Sequence, residues 1–188
     1  MQALLKASHW INALNDRIGQ AMSWLTLAMV LLGAYNATTR KLSHAIGVDL
    51  SSNTYIETQW YLFSLIFLWS AGYALRHNVH VRVDVIFDRV GPRARAWIDL
   101  VGTVVFLIPF CVLLIWVSTP YVQASWQVLE QSPDPGGLPR YLIKTAIPLA
   151  FVLLLLQAFS QLVRLVATLR GIDTTTEGDL YEKREVEL

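Results

Sequence analysis

The sequence predicts an all-α integral membrane protein with four transmembrane helices. Of its 188 residues, 54% are hydrophobic and only 15% are charged, whereas a water-soluble chain usually has about a quarter of its residues charged. A helix that crosses the bilayer needs about 20 mostly apolar residues. Four segments contain no charged residue: Ile18–Thr39, Gln59–Leu75, Leu100–Tyr121 and Thr145–Val163. These segments predict spans at about residues 18–39, 55–75, 98–121 and 142–165.

The second segment is the shortest of the four. It reaches a spanning length if it begins near Thr54 and Glu57 lies among the outer headgroups. Helices are predicted rather than strands because lipid offers no hydrogen-bond partner to an open backbone, and four strands cannot close a barrel.

The distribution of Lys and Arg predicts the orientation of the spans. Eleven of the fifteen precede the first span, lie between the second and third, or follow the fourth. The opposite side has four: Arg40, Lys41, Arg140 and Lys144. Positive residues concentrate on the cytoplasmic side of membrane proteins, so both termini and the middle loop are predicted to be cytoplasmic.

The segment before the first span has the spacing of an amphipathic helix. Apolar residues recur there at intervals of three and four: Leu4, Ala7, Ile11, Leu14 and Ile18. This spacing predicts an N-terminal interfacial helix that lies along the inner membrane face. Packing of the same stripe against a partner subunit is the alternative.

Two outer loops and the C-terminal tail are predicted to be irregular. Residues Leu42–Asn53 show no clear period, and Ser132–Gly137 contains two prolines and two adjacent glycines, which favour a turn. Residues 173–188 carry six acidic and two basic residues and few apolar ones, so they form a solvated, acidic cytoplasmic tail. The transmembrane domain is accordingly placed at residues 1–172.

Between the second and third spans lies a charged segment, Arg76–Val90. Its valines alternate with polar residues, but a single strand has no sheet to join, so we predict an amphipathic interfacial helix. Just beyond this segment, Asp99 stands at the inner edge of the third span. There it is expected to pair with Arg95 or Arg76, a structural role.

The spans lack the residues that several function classes require. A pump or autonomous transporter places ionisable groups inside its spans, and these four segments have none. All four histidines fall outside these segments, so no haem ligation is predicted. Cys111 is the only cysteine, so neither a cysteine-based metal centre nor a dithiol is predicted. No catalytic motif appears, and the net charge of +1 gives no reason to expect a nucleic-acid partner. No cofactor is expected.

Several short motifs occur in an order that resembles a known family. They are Glu57-x-x-Trp60 before the second span, Arg76-x-x-x-His80-x-Arg82-x-Asp84 at its inner end, Gly137-Leu138-Pro139 before the fourth span, and Ile147-Pro148 within it. With four spans and both ends inside, the chain resembles the small membrane subunit (DctQ-type) of tripartite ATP-independent periplasmic (TRAP) transporters. The resemblance covers nearly the whole chain.

The resemblance implies a bacterial inner-membrane protein and a division of labour. The small subunit is expected to be a non-catalytic scaffold beside a large multi-span permease subunit that carries the substrate and sodium sites. A periplasmic substrate-binding protein would deliver an organic acid or related small solute. Arg76, His80, Arg82 and Asp84 would then be structural signature residues of the cytoplasmic loop. On the outer face, contacts with the binding protein are expected at Trp126, Glu130 and Arg140.

Two other functions remain open at the level of the sequence. One is a four-span membrane anchor subunit of a redox complex, and the other is a small exporter that acts as an oligomer. The exporter needs a titratable residue in mid-membrane, which the four segments lack.

An absorbance spectrum of the purified chain separates the redox anchor from the scaffold. Because no span contains a histidine that could ligate haem, we expect no Soret band. A Soret band that remains after purification would favour the redox anchor.

Overall fold

The computed structural model describes residues 2–47, 52–79 and 91–171. Within these ranges the regular structure is helical and contains no strand. The helices are α1 (Gln2–Ile46), α2 (Asn53–Trp69), α3 (Ala71–Arg76), α4 (Pro92–Gly102), α5 (Ile108–Gln127) and α6 (Arg140–Leu169). A π-helical turn, Thr103–Leu107, joins α4 to α5. The all-helical fold expected from the sequence is confirmed for this part of the chain.

Three helical stretches of the described residues are long and apolar enough to cross a bilayer. They are Ala3–Ser43, Arg93–Gln127 and Arg140–Leu169. They contain the predicted first, third and fourth spans. The count of four remains a prediction, because the predicted second span corresponds to two shorter helices, α2 and α3, of 17 and six residues.

The junction between α2 and α3 preserves helical hydrogen bonding. Ser70 has helical dihedral angles, with φ −75° and ψ −12°. Its N–H donates to the carbonyl of Ile66 at 3.1 Å, and its carbonyl accepts from the N–H of Ala74 at 2.8 Å. The chain therefore continues in nearly the same helical course from Asn53 to Arg76.

Helix α6 is the central element and packs against each of the other five helices. Small residues on it, including Ala146, Ala150, Ala158 and Ala167, are buried and allow neighbouring helices to approach closely. Large apolar side chains instead cover the outside, where Trp116, Phe106 and other bulky residues are strongly exposed. An apolar exterior of this extent indicates surroundings of hydrocarbon or partner protein.

Helix α1 corrects two predictions. It is one continuous helix of 45 residues, so there is no separate N-terminal interfacial helix, and it extends to Ile46, into the outer loop predicted to begin at Leu42. Its N-terminal part packs against the rest of the chain through an edge that lies beside the apolar stripe. The buried residues are Ser8, Asn12, Asn15, Gly19 and Met22, whereas Leu4 is 46% exposed.

The surroundings of α1 explain why polar and small residues form its packing edge. An apolar stripe marks the packing face of a helix in water. Where a helix faces hydrocarbon, apolar residues gain little by packing inward, and polar or small residues form the contacts between helices.

The π-helical turn has a local cause in Pro109. Proline lacks an N–H, and its ring collides with the carbonyl four residues earlier, which here belongs to Val105. The wider turn at Thr103–Leu107, closed by the Ile108 N–H on the Thr103 carbonyl, accommodates this within a continuous helix. Pro148 lies inside α6 without ending it.

Candidate functional site: two polar clusters at opposite ends of the helices

The first cluster, named the inner polar cluster after the predicted orientation, joins α1 to α6 through five buried side chains: Ser8, Asn12, Asn15, Gln157 and Ser160. The Gln157 amide donates to Asn12 Oδ1 at 3.1 Å and accepts from Asn15 Nδ2 at 2.9 Å. Ser160 Oγ donates to Asn12 Oδ1 at 2.8 Å and lies 2.6 Å from Ser8 Oγ. Because buried amides are costly unless paired, these hydrogen bonds fix the register between the two helices.

An ionic group adjoins this cluster and ties α3 to α1. The Arg76 guanidinium forms an ion pair with Asp16 and donates to the Asn12 carbonyl at 2.8 Å. His77 Nε2 lies 3.1 Å from the other Asp16 oxygen, and the His77 ring packs on Tyr73 with centroids 4.2 Å apart. Both members of the Arg76–Asp16 pair are mostly buried. The carboxylate therefore holds the inner end of the second helical segment against α1.

A glycine permits this close approach. A Cβ at Gly72 would collide with Asn15 Oδ1, so any larger residue on α3 would push it away from α1. Asn15 Oδ1 itself is buried and has no hydrogen-bond partner among the described residues.

The outer polar cluster is centred on Glu57 of α2, whose exposure is only 2%. Its carboxylate accepts hydrogen bonds from the Ser132 hydroxyl and the Leu138 N–H, both in the loop between α5 and α6. The same side of α2 makes further contacts with this loop. Asn53 donates to the Pro135 carbonyl at 3.2 Å, and the Tyr61 hydroxyl donates to the Leu138 carbonyl at 3.3 Å.

The loop can follow α2 because of its turn residues. Gly136 has φ +74°, a conformation that residues with a side chain rarely adopt, and its carbonyl accepts a hydrogen bond from Thr54. The predicted turn at Ser132–Gly137 is therefore a compact loop that packs on α2. Hydrogen bonds to the buried carboxylate of Glu57 hold it there.

A second carboxylate, Glu130, joins the ends of α5 and α6. It forms an ion pair with Lys144 and accepts from Ser125 Oγ at 2.7 Å, and its carbonyl accepts from the Arg140 N–H at 2.8 Å. Nearby, Trp126 Nε1 donates to Thr145 Oγ1 at 2.8 Å. These contacts hold the outer ends of the two helices together.

The hydrogen bonds from Lys144 and Ser125 lower the pKa of Glu130 below its ordinary value. A carboxyl with a lowered pKa in the folded state stabilises the fold above the ordinary pKa of glutamate. That contribution is lost as the pH falls through the lowered value, so acid should loosen this junction.

Among the predicted signature residues, only Arg76 is described. It forms an ion pair with Asp16, a residue that no sequence motif singled out. His80, Arg82 and Asp84, with the amphipathic helix predicted around them, lie outside the described residues. The acidic tail at residues 173–188 also lies outside them.

The other predicted site residues fall in two places. Asp99 lines a cavity at the inner end of the helices together with Arg76, and its pairing with Arg95 remains a prediction. Trp126, Glu130 and Arg140 do come together at the outer end. The Arg140 guanidinium lies 5.9 Å from the centroid of the Trp60 ring.

Sequence reasoning missed the inner polar cluster, although its signal is present. Ser8, Asn12, Asn15 and Gly19 recur at intervals of four, three and four, which places small and polar residues on one helical edge. Among the described residues, no group of three His, Cys, Asp or Glu side chains could hold a metal ion. The arrangement is therefore one of helix ends fastened by paired polar groups.

Comparisons with known proteins identify the family of the chain. No curated protein and no solved structure matches the chain. One family model does match, that of the tripartite ATP-independent periplasmic transporters, DctQ component, over residues 29–168. This range is about three quarters of the chain and contains the outer cluster, Arg76 and the α6 residues of the inner cluster. The chain therefore belongs to the DctQ family, the small membrane component of TRAP transporters.

Proposed function

We propose that this chain is the small, non-catalytic scaffold subunit of a sodium-coupled TRAP transporter that imports organic acids or related small solutes. In this role it pairs with the large permease subunit, which carries the transported solute. The family match over residues 29–168 is the observation that carries the proposal. The substrate is selected elsewhere in the complex.

The positions of the polar contacts favour a scaffold role over a role as a path for the transported solute. The ion pairs Asp16–Arg76 and Glu130–Lys144 lie near opposite ends of the helices and join one helix to another. The four uncharged segments lie between these ends. Paired charges at the ends and uncharged interiors suit a rigid support, whereas a conduit needs polar groups along its path.

The proposed placement is the bacterial inner membrane with both termini cytoplasmic. Helices α2 and α3 together form the predicted second span and bring the number of crossings to four. Their helical hydrogen bonds continue through Ser70 over about 24 residues, or about 36 Å. The excess of positive residues on one side supports the orientation.

The proposed contact with the periplasmic substrate-binding protein is at the outer cluster. Trp126 is 44% exposed, and it lies with Glu130 and Arg140 where α5 and α6 meet. Side-chain hydrogen bonds hold Trp126 and Glu130, and the Arg140 backbone is bonded to Glu130, so the three residues would offer a largely preformed surface to a partner.

Co-expression with the large permease subunit tests the proposal. We expect the two chains to copurify and to support sodium-driven uptake in liposomes only when the binding protein is added. Alanine at Arg82 or Asp84 should lower recovery of the complex, because the charged loop is proposed to secure assembly.

The same reconstitution supplies the contradicting outcomes. Sodium-driven uptake by this chain alone would refute the scaffold role. If the Arg82 or Asp84 variant assembled normally and yet abolished uptake, that residue would act directly in the transport cycle. Alanine at Arg17, an exposed charge outside the loop and the ion pairs, is the matched control and should copurify normally.

A further inference from the structure

A polar cavity of about 190 Å³ lies at the inner end of the helices, between α3, α4 and α6. Among the residues that line it are Arg76, Asp99, Gln157, Gln161 and Arg164. A single water needs only about 10–15 Å³ by a comparable measure, so the cavity has room for a larger polar group. Neither the family match nor the proposed scaffold role assigns anything to it.

The cavity offers donors for an anion. Guanidinium groups bind phosphate through charge-assisted, often paired hydrogen bonds. Arg76 pairs with Asp16 on α1, whereas Arg164 lies on α6 in the same lining and can bring a second guanidinium to an anionic oxygen in the cavity.

The cavity also offers acceptors, which a simple anion would not use. Gln161 Oε1 is buried and has no hydrogen-bond partner among the described residues. A buried acceptor without a donor is unfavourable, so this oxygen favours a ligand that carries N–H or O–H groups. Asp99 adds a carboxylate to the same lining.

The charges of the lining residues also favour a ligand that has both a cationic and an anionic group. The Asp16 carboxylate compensates Arg76, and the cavity then contains one further cation, Arg164, and one further anion, Asp99. Asp99 and Arg164 each have contacts within the chain, so a ligand would add to those contacts. A lining with both charges favours a zwitterion over phosphate or another plain anion.

We infer that this cavity binds the headgroup of an inner-leaflet phospholipid that carries a primary ammonium. In this arrangement Arg164 donates to the phosphate oxygens, while the ammonium donates to Asp99 and to Gln161 Oε1. The inference uses the proposed membrane placement, in which the inner ends of α3 and α6 lie at headgroup level. It extends the proposed scaffold role by adding a lipid that fastens three helices at that level.

Native mass spectrometry of the purified full-length chain tests the inference. The chain is delipidated and then incubated separately with phosphatidylethanolamine, phosphatidylcholine, phosphatidylglycerol or inorganic phosphate. We expect one phosphatidylethanolamine to be retained per chain. Phosphatidylcholine should bind about tenfold more weakly, because its quaternary ammonium has no N–H to donate and one charge-assisted hydrogen bond contributes roughly that factor.

Two variants with different chemistry connect retention to the cavity. Arg164→Gln and Gln161→Leu should each lower occupancy by phosphatidylethanolamine about tenfold, through loss of a hydrogen bond to phosphate or to ammonium. Arg170→Gln, which removes an exposed arginine outside the cavity, is the control and should leave occupancy unchanged. Helix content measured by circular dichroism separates loss of binding from loss of fold, and Gln161→Leu tests the site even if Arg164→Gln misfolds.

Several outcomes would overturn the inference. These are equal retention of the ethanolamine and choline lipids, preference for phosphatidylglycerol or inorganic phosphate, and retention that neither variant changes. The measurement needs no permease and no uptake, so a failed complex with the permease leaves it interpretable. Conversely, lipid binding by the chain alone would not count as evidence for the scaffold role if the complex with the permease did not form.

Discussion

Replacing Gln157 by leucine should lower the free energy of unfolding by about 2 kcal/mol, because buried amides left unpaired cost about 1–3 kcal/mol. The Gln157 side chain is 2% exposed and bridges Asn12 and Asn15 of α1. Leucine has a similar size and suits an apolar environment, so the loss reports the hydrogen bonds rather than a cavity. The contact between α1 and α6 should loosen first.

Unfolding of the purified chain in mixed micelles by a denaturing detergent measures this change. Gln20→Leu is the matched control, since Gln20 is an exposed glutamine on α1, and its substitution should leave stability nearly unchanged. A double-mutant cycle with Asn15→Leu should show a coupling energy between the two positions. Equal stability of Gln157→Leu and the native chain would mean that the inner polar cluster does not hold the helices together.

Replacing Glu57 by alanine should release the loop between α5 and α6 from α2. The carboxylate is the shared acceptor for the Ser132 hydroxyl and the Leu138 N–H, and alanine removes both hydrogen bonds together. Hydrogen exchange should therefore accelerate at Leu138 and at its neighbours in the loop, while the centre of α6 keeps its protection. Thermal stability should fall by several degrees.

Two further variants sharpen this prediction. Glu57→Gln keeps one acceptor oxygen and should retain part of the protection at Leu138. Asp134→Ala removes an exposed carboxylate from the same loop and should change exchange only slightly. If Glu57→Ala left exchange at Leu138 unchanged, the loop would be held by Asn53, Thr54 and Tyr61 instead.

The spans were the most predictable part of the fold. Long uncharged segments follow from the thickness of the hydrocarbon, and Leu100–Tyr121 and Thr145–Val163 fall within helices of the structure. The error in α1 was to divide one continuous helix, near Ile18, into an interfacial helix and a span. The apolar stripe from Leu4 to Ile18 predicts a surface for the membrane or a partner, and it gives no sign that Asn12 and Asn15 beside it bind Gln157.

The site was less predictable because its partners are far apart in sequence. Glu57 and Ser132 are separated by 75 residues, and Asn15 and Gln157 by 142. Composition and periodicity describe one helix at a time and contain no information about such pairs. Glu57 could be placed near the outer headgroups from its position, but its role as an acceptor for the loop required the fold.

The length of α1 has a mechanical consequence. At 45 residues it measures about 68 Å, more than twice the roughly 30 Å of hydrocarbon that it is proposed to cross. An uninterrupted helix resists bending, so in the proposed membrane placement α1 would act as a lever that extends beyond both surfaces of the bilayer. The Asp16–Arg76 and Gln157 contacts hold α1 near its N-terminal end, so a small tilt there would become a much larger displacement at Ile46.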